Sequence, residues 1–375
     1  MRSRSGEPTG AARARSFGLL ALAGLALLAG LSGALVLVGL WAPPDAATLA
    51  VVHGILMPLG FLGTLIALER AVALDRPWGY ASPLATGLGA IALAMGSPIA
   101  VGSALIAVGG GLFVAMYVAF DRIERSLHTS VQAAGAVGWL VAALLLVSGR
   151  PISAVVPWLA GFLILTVVGE RLELSRLRRP SEAARRAFVI VSGIFGAGVI
   201  VTLVVPDEGV RIAGVGLVGL AAWLGRNDVA RRTVKLPGVT RFVALSLLVG
   251  YVWLAIGGLY WLAGGAVTAG PIYDAALHAL FLGFVISMVF GHAPVILPSV
   301  LRTPLPYRPR FYVHLALLHA GLVLRILAGD VLGDRPAWQL GGLLGVVALL
   351  VFAASSAVAV VEGRAGLSAL RGRIG

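Results

Sequence analysis

Six histidines and no cysteine stand in this chain of 375 residues: His53, His128, His278, His292, His314 and His319. Without thiols there are no disulfides, thiolate metal sites or iron–sulfur clusters. No HExxH run, Ser-His-Asp arrangement or phosphate-binding glycine loop occurs either. What remains for metal chemistry is imidazole. Two neutral imidazoles on different elements, facing each other at one level, form a donor set that fills both axial positions of an iron porphyrin. Whether any pair here meets that requirement depends on the elements that carry it.

Those elements must lie in a bilayer. The chain is 59% hydrophobic and only 12% charged, with a mean hydropathy of +0.97, whereas a soluble domain has about a quarter charged residues. The net charge of +13 does not point to nucleic acid, because the cations fall between apolar runs. Breaking those runs at charge, proline and glycine predicts about twelve transmembrane helices. They lie near 17–40, 47–71, 81–96, 98–120, 128–148, 152–173, 184–205, 209–225, 240–264, 272–297, 309–329 and 336–361. The third is short. The expected organisation is a cytoplasmic tail over 1–16, one transmembrane domain over 17–362 and a cytoplasmic tail over 363–375. With both ends inside, only Arg150, Arg211, Arg325 and Arg335 of the 29 cations face outward. That asymmetry is the positive-inside pattern and places the chain in a bacterial cytoplasmic membrane, the lipid bilayer being its first partner.

A motif recurs at an interval of four helices. Gly60-Phe61-Leu62 is followed, nine residues after the glycine, by Glu69-Arg70. Gly161-Phe162-Leu163 is followed at the same distance by Glu170-Arg171, and Gly283-Phe284-Val285 by His292. The three stand on the second, sixth and tenth spans, which run in the same direction. The interval suggests three pseudo-repeated four-helix units, and the glycines also suit close helix packing.

Ionisable groups within a membrane are functional candidates. His53 and His278 each lie about six residues inside the outer end of their spans, roughly 9 Å deep at 1.5 Å per residue. They meet the requirement for one b-type haem. His292 lies about 21 Å deeper on the tenth span, turned only some 40° from His278. With His314 it is a candidate for a second haem. His128 reads as interfacial and His319 as structural.

Twelve spans, cytoplasmic ends, threefold units and outer histidines on the second and tenth spans together resemble haem-copper oxidase subunit I. The segments His53-Gly54-Ile55-Leu56-Met57 and His278-Ala279-Leu280 through Gly283 and Met288 are similar to NnrS-like proteins within that superfamily. This resemblance implies a haem between His53 and His278, with Arg325 and Arg335 at its propionates and a role in redox or nitric oxide chemistry with membrane redox partners. The oxidases' further histidine on the tenth helix would fall at Ala276 or Leu280, and no histidine lies between His128 and His278. An oxygen-reducing binuclear centre is therefore not expected. Two other classes remain open on the residues alone. One is a proton-coupled transporter using Glu69, Glu170 and the inner histidines, and the other is an assembly factor without a ligand.

Overall fold

The computed structural model describes residues 10–374 apart from Asp45 and 176–180, so the first nine residues of the expected N-terminal tail lie outside the described residues. Every regular element among them is helical. Twelve long helices follow one another: α1 (Gly10–Leu37), α2 (Ala46–Leu74), α3 (Ala81–Ala94), α4 (Ile99–Ile123), α5 (Leu127–Val147), α6 (Ile152–Ser175), α7 (Glu182–Val201), α8 (Pro206–Asn227), α9 (Val239–Gly264), α10 (Pro271–Leu301), α11 (Phe311–Val331) and α12 (Arg335–Ile374). They correspond one for one to the twelve apolar runs. The ends differ, since α1 begins seven residues early and α12 continues through the segment expected as a tail. Alanine, leucine and arginine favour the helix there.

Eleven of these helices are long and apolar enough to cross a membrane, among the described residues. The exception is α3, at 14 residues. A 3₁₀ turn over Pro77–Tyr80 precedes it. Together they cover roughly 29 Å, at 1.5 Å and 2.0 Å per residue. Tyr80 lies under the Arg15 guanidinium, 3.5 Å away, at the start of α1, whereas Gly96 packs beside Thr48 at the start of α2. The short helix thus runs from one end of the bundle to the other. Its close approach to α4 needs Gly109, where a Cβ would stand 3.0 Å from the Ser82 carbonyl.

Arg150, Arg211, Arg325 and Arg335 sit at one end of the bundle and the arginine-rich loops at the other. The core is largely apolar, with a few buried polar and charged side chains such as Arg171, Asp228 and Arg325, and α6 is the most enclosed of the eleven apolar spans, 83% buried. Three helices depart from α geometry. Leu56–Gly63 of α2, His278–Ile286 of α10 and Leu324–Val331 of α11 are π-helical. In α2 the cause is Pro58, which lacks the N–H of the regular ladder.

Two cavities stacked in the bundle

Residues from all three π-helical stretches line one cavity at the arginine-poor end. It has a volume of about 400 Å³ and includes Met57, Pro58 and Leu62 of α2, His278, Phe281 and Leu282 of α10, and Arg325 of α11. Widened turns of this kind occur often at functional sites, and the volume lies in the ordinary range for a ligand pocket. His53 lines the same cavity.

The two histidines are anchored alike. The Nδ1 of His53 donates to the Gly30 carbonyl of α1 at 2.7 Å, and the Nδ1 of His278 donates to the Asp274 carbonyl one turn above at 2.8 Å. Neither Nε2 has a hydrogen-bond partner among the described residues. With Nδ1 holding the proton, each Nε2 carries a lone pair. This is how ligating imidazoles are normally oriented, the remote nitrogen bonded to a carbonyl.

The rim is polar, built around Asp274, Arg325 and Trp338. Arg325 is buried, and its Nε and Nη2 donate to Asp274 at 2.7 and 2.8 Å. The indole N–H of Trp338 donates to the same carboxylate at 3.1 Å, while the guanidinium stacks over that indole at 4.4 Å. Arg325 thus lines the cavity, with its charge already matched by Asp274. Arg335 is exposed and does not line the cavity. The i,i+4 spacing of Asp274 and His278 was the available sequence signal for this rim. Trp338 gave none.

A second cavity, of about 470 Å³, lies at the arginine-rich end. Positions five, six and nine after the repeat glycine line it from all three helices: Leu65, Ile66 and Glu69; Thr166, Val167 and Glu170; Met288, Val289 and His292. Two of the repeat glycines do serve packing, Gly60 against Ala90 and Gly283 against Trp253, while Gly161 has room. The cavities are stacked with little between them. On α2 the lining passes from Leu62 to Phe61, on α6 from Leu159 to Leu163, and on α10 from Ile286 to Val285.

His292 and His314 are not brought together in this cavity. His292 lines it, with Nδ1 on the Met288 carbonyl at 2.7 Å and Nε2 3.4 Å from the Arg171 Nη1. His314 does not. It is 1% exposed, boxed by the rings of Phe242, Phe290, Phe311 and Phe352, and neither ring nitrogen has a partner among the described residues. The one-dimensional spacing gave both residues a comparable depth, but the phenylalanines fill the space around His314. His319 accepts from the Trp253 indole at 3.0 Å and lies 3.4 Å from the Ser287 hydroxyl, tying α9, α10 and α11. His128, near Ser126 and Glu173, lines neither cavity.

Behind the second cavity lies a charge network that sequence reading resolved only in part. Arg70 pairs with Glu170 and approaches Glu69 at 3.3 Å. Arg171 donates to both oxygens of Asp228, at 2.7 and 2.8 Å, and the Tyr251 hydroxyl donates to the same carboxylate at 2.9 Å. Asp228 was missed, although a carboxylate just after α8 in a loop otherwise basic was a usable signal. No group of three or more histidine, aspartate or glutamate side chains is arranged to hold a metal ion among the described residues.

A family model described as Domain of unknown function (DUF8744) matches residues 15–361, which takes in every residue that lines the two cavities except Arg364. The chain belongs to that family. No curated protein matches the sequence. The family spans α1 to α12 as one unit, and His53, His278, Glu69, Glu170 and His292 all fall within it.

Proposed function

We propose that this protein is a twelve-span protein of the bacterial cytoplasmic membrane, both ends in the cytoplasm, that holds one b-type haem between α2 and α10 through His53 and His278. One observation carries the reading. Two imidazoles from different helices, each with Nδ1 anchored on a carbonyl and Nε2 unpartnered, line a single cavity of about 400 Å³. Such a haem supplies one-electron redox chemistry, its potential set by its axial ligands and surroundings. The Gly30 and Asp274 carbonyls fix the tautomer and direction of the two rings. Leu62, Phe281, Leu282 and Leu322 exclude water. Asp274 neutralises Arg325, so that pair adds no net charge to the rim.

The resemblance to haem-copper oxidase subunit I, and within it to NnrS-like proteins, belongs to the same proposal. The convergence of equivalent positions of α2, α6 and α10 on one cavity supports it, as does the histidine pair. A redox or nitric oxide-related role with electron-transfer partners in the membrane follows from that resemblance.

The absorption spectrum of the detergent-solubilised protein tests the proposal. A Soret band is expected, and its loss in both His53→Ala and His278→Ala. A purified protein without the band, or variants that keep the spectrum unchanged, would overturn the assignment. A second reading, a proton-coupled carrier, rests on the Glu69–Arg70–Glu170 group beside the second cavity. Uptake driven by a proton gradient in proteoliposomes, lost in Glu170→Gln, is its test.

A further inference from the structure

We infer that the cavity at the arginine-rich end is a separate ligand site, for a lipid-soluble molecule whose head group donates hydrogen bonds and carries no negative charge. The inference does not depend on haem in the other cavity.

Access comes first. Ala353, Ala357 and Val361 of α12 line the cavity and are exposed on the outside of the bundle. All three lie within the apolar span Arg335–Arg364. The cavity therefore opens through the side of the protein, where a bilayer would present hydrocarbon. Phe17, Leu20 and Leu27 of α1 and Val285 and Val289 of α10 make its walls apolar.

The polar groups select the head. Glu69, Glu170 and His292 converge on the cavity from the three repeat helices. Among the described residues the Glu69 carboxylate accepts no hydrogen bond, and the Arg70 Nη2, 3.3 Å away, is turned to Glu170. The Nδ1 proton of His292 is taken by the Met288 carbonyl, so its Nε2 is the acceptor that faces the Arg171 Nη1 at 3.4 Å. The Thr166 hydroxyl donates to the Phe162 carbonyl at 2.7 Å. The deep end thus leaves the Glu69 carboxylate as its open acceptor, the Glu170 carboxylate, the His292 Nε2 and the Thr166 hydroxyl being engaged.

The charges agree. Glu69 and Glu170 face one cation, Arg70, while Arg171 is matched by Asp228. At that end Glu69 is left without a hydrogen-bonded cation among the described residues. Arg364 lies at the opposite edge, its guanidinium 5.0 Å from the centre of the Phe17 ring. A sparingly solvated carboxylate without a donor is costly, and a donor head would make charge-assisted hydrogen bonds to it. An anionic head would meet repulsion there. Two head groups share the required chemistry, a hydroquinone and a protonated amine.

The experiment is saturable binding to the full chain in lipid nanodiscs, read against empty nanodiscs. The probes are a decyl-substituted hydroquinone, the matching benzoquinone, decylamine and decyl phosphate. The hydroquinone or the amine is expected to bind, and which of them does so identifies the source. The quinone and the phosphate should bind at least tenfold more weakly. Glu69→Gln should weaken the bound donor at least tenfold. Gly24 lines the cavity, and a Cβ built there has nothing within 4 Å. Gly24→Leu should therefore fill the site without disturbing the fold and abolish binding. Gly18→Leu, on the same helix and equally open but outside the cavity, should leave binding unchanged. Equal binding of decyl phosphate, wild-type affinity in Gly24→Leu, or no saturable binding of either donor would overturn the inference. No haem absorbance is read, so the outcome stands apart from that of the first cavity.

Discussion

Asp274 serves Arg325 and His278 at once: its carboxylate accepts from the guanidinium at 2.7 and 2.8 Å, and its backbone carbonyl accepts the His278 Nδ1 proton at 2.8 Å. One residue thus fixes both the charge of the rim and the direction of a candidate ligand. Asp274→Asn leaves a buried guanidinium without its counter-ion. Losing one partner of a buried pair costs about 3 kcal/mol. Thermal unfolding in detergent should show that loss, and any bound haem should be released at a lower temperature. An unchanged melting curve would remove Asp274 from this role.

The first cavity makes a prediction about rescue. His278→Gly opens space next to an unpartnered His53 Nε2, so bound haem should fall in the variant and return when imidazole is added to the buffer. The same variant at His319, which bonds Trp253 and Ser287 rather than facing the cavity, should keep its haem. Titration of the Soret band against imidazole distinguishes the two.

His314 is predicted to be dispensable. Its two ring nitrogens are buried without partners among the described residues, and an unsatisfied buried polar group costs about 1–3 kcal/mol. A phenylalanine matches the shape of the surrounding aromatic box. His314→Phe should raise stability by about 1 kcal/mol or more and leave the haem-to-protein ratio unchanged. A fall in that ratio would instead restore His314 as a ligand.

The Arg171 network predicts an order of effects. Asp228→Asn strands a guanidinium that is 3% exposed and should cost about 3–5 kcal/mol. Tyr251→Phe removes one hydrogen bond to a charged acceptor, worth about 1.5–3 kcal/mol. Denaturation of the two variants side by side gives the comparison, and a costlier Tyr251→Phe would contradict the geometry.

Gly109 and Gly111 on α4 should behave differently. Gly111 has nothing within 4 Å of a built Cβ, whereas Gly109 meets the Ser82 carbonyl at 3.0 Å. Gly111→Ala should be neutral or stabilise by up to about 1 kcal/mol. Gly109→Ala should push α3 from α4 and lower the expression and melting temperature of the protein. Equal effects at the two sites would argue against the packing described here.

The amino-acid sequence determined by itself that the chain is a multi-pass helical protein, where its twelve helices lie and how far along its helix each histidine sits. Those properties are local, because hydropathy adds up along a run and depth follows from about 1.5 Å per residue. The repeat at Gly60, Gly161 and Gly283 was local in the same sense, and it picked out Glu69, Glu170 and His292 before anything showed them sharing a cavity. What only the tertiary structure decided was which groups meet. His53 finds the Gly30 carbonyl 23 residues away, Arg171 finds Asp228 57 residues away, and Arg70 finds Glu170 100 residues away. Comparable depth could not separate His292, open to a cavity, from His314, closed in by four phenylalanines. Spacing fixes how far down a helix a side chain lies, whereas the neighbouring helices and the π-helical turns fix what it faces.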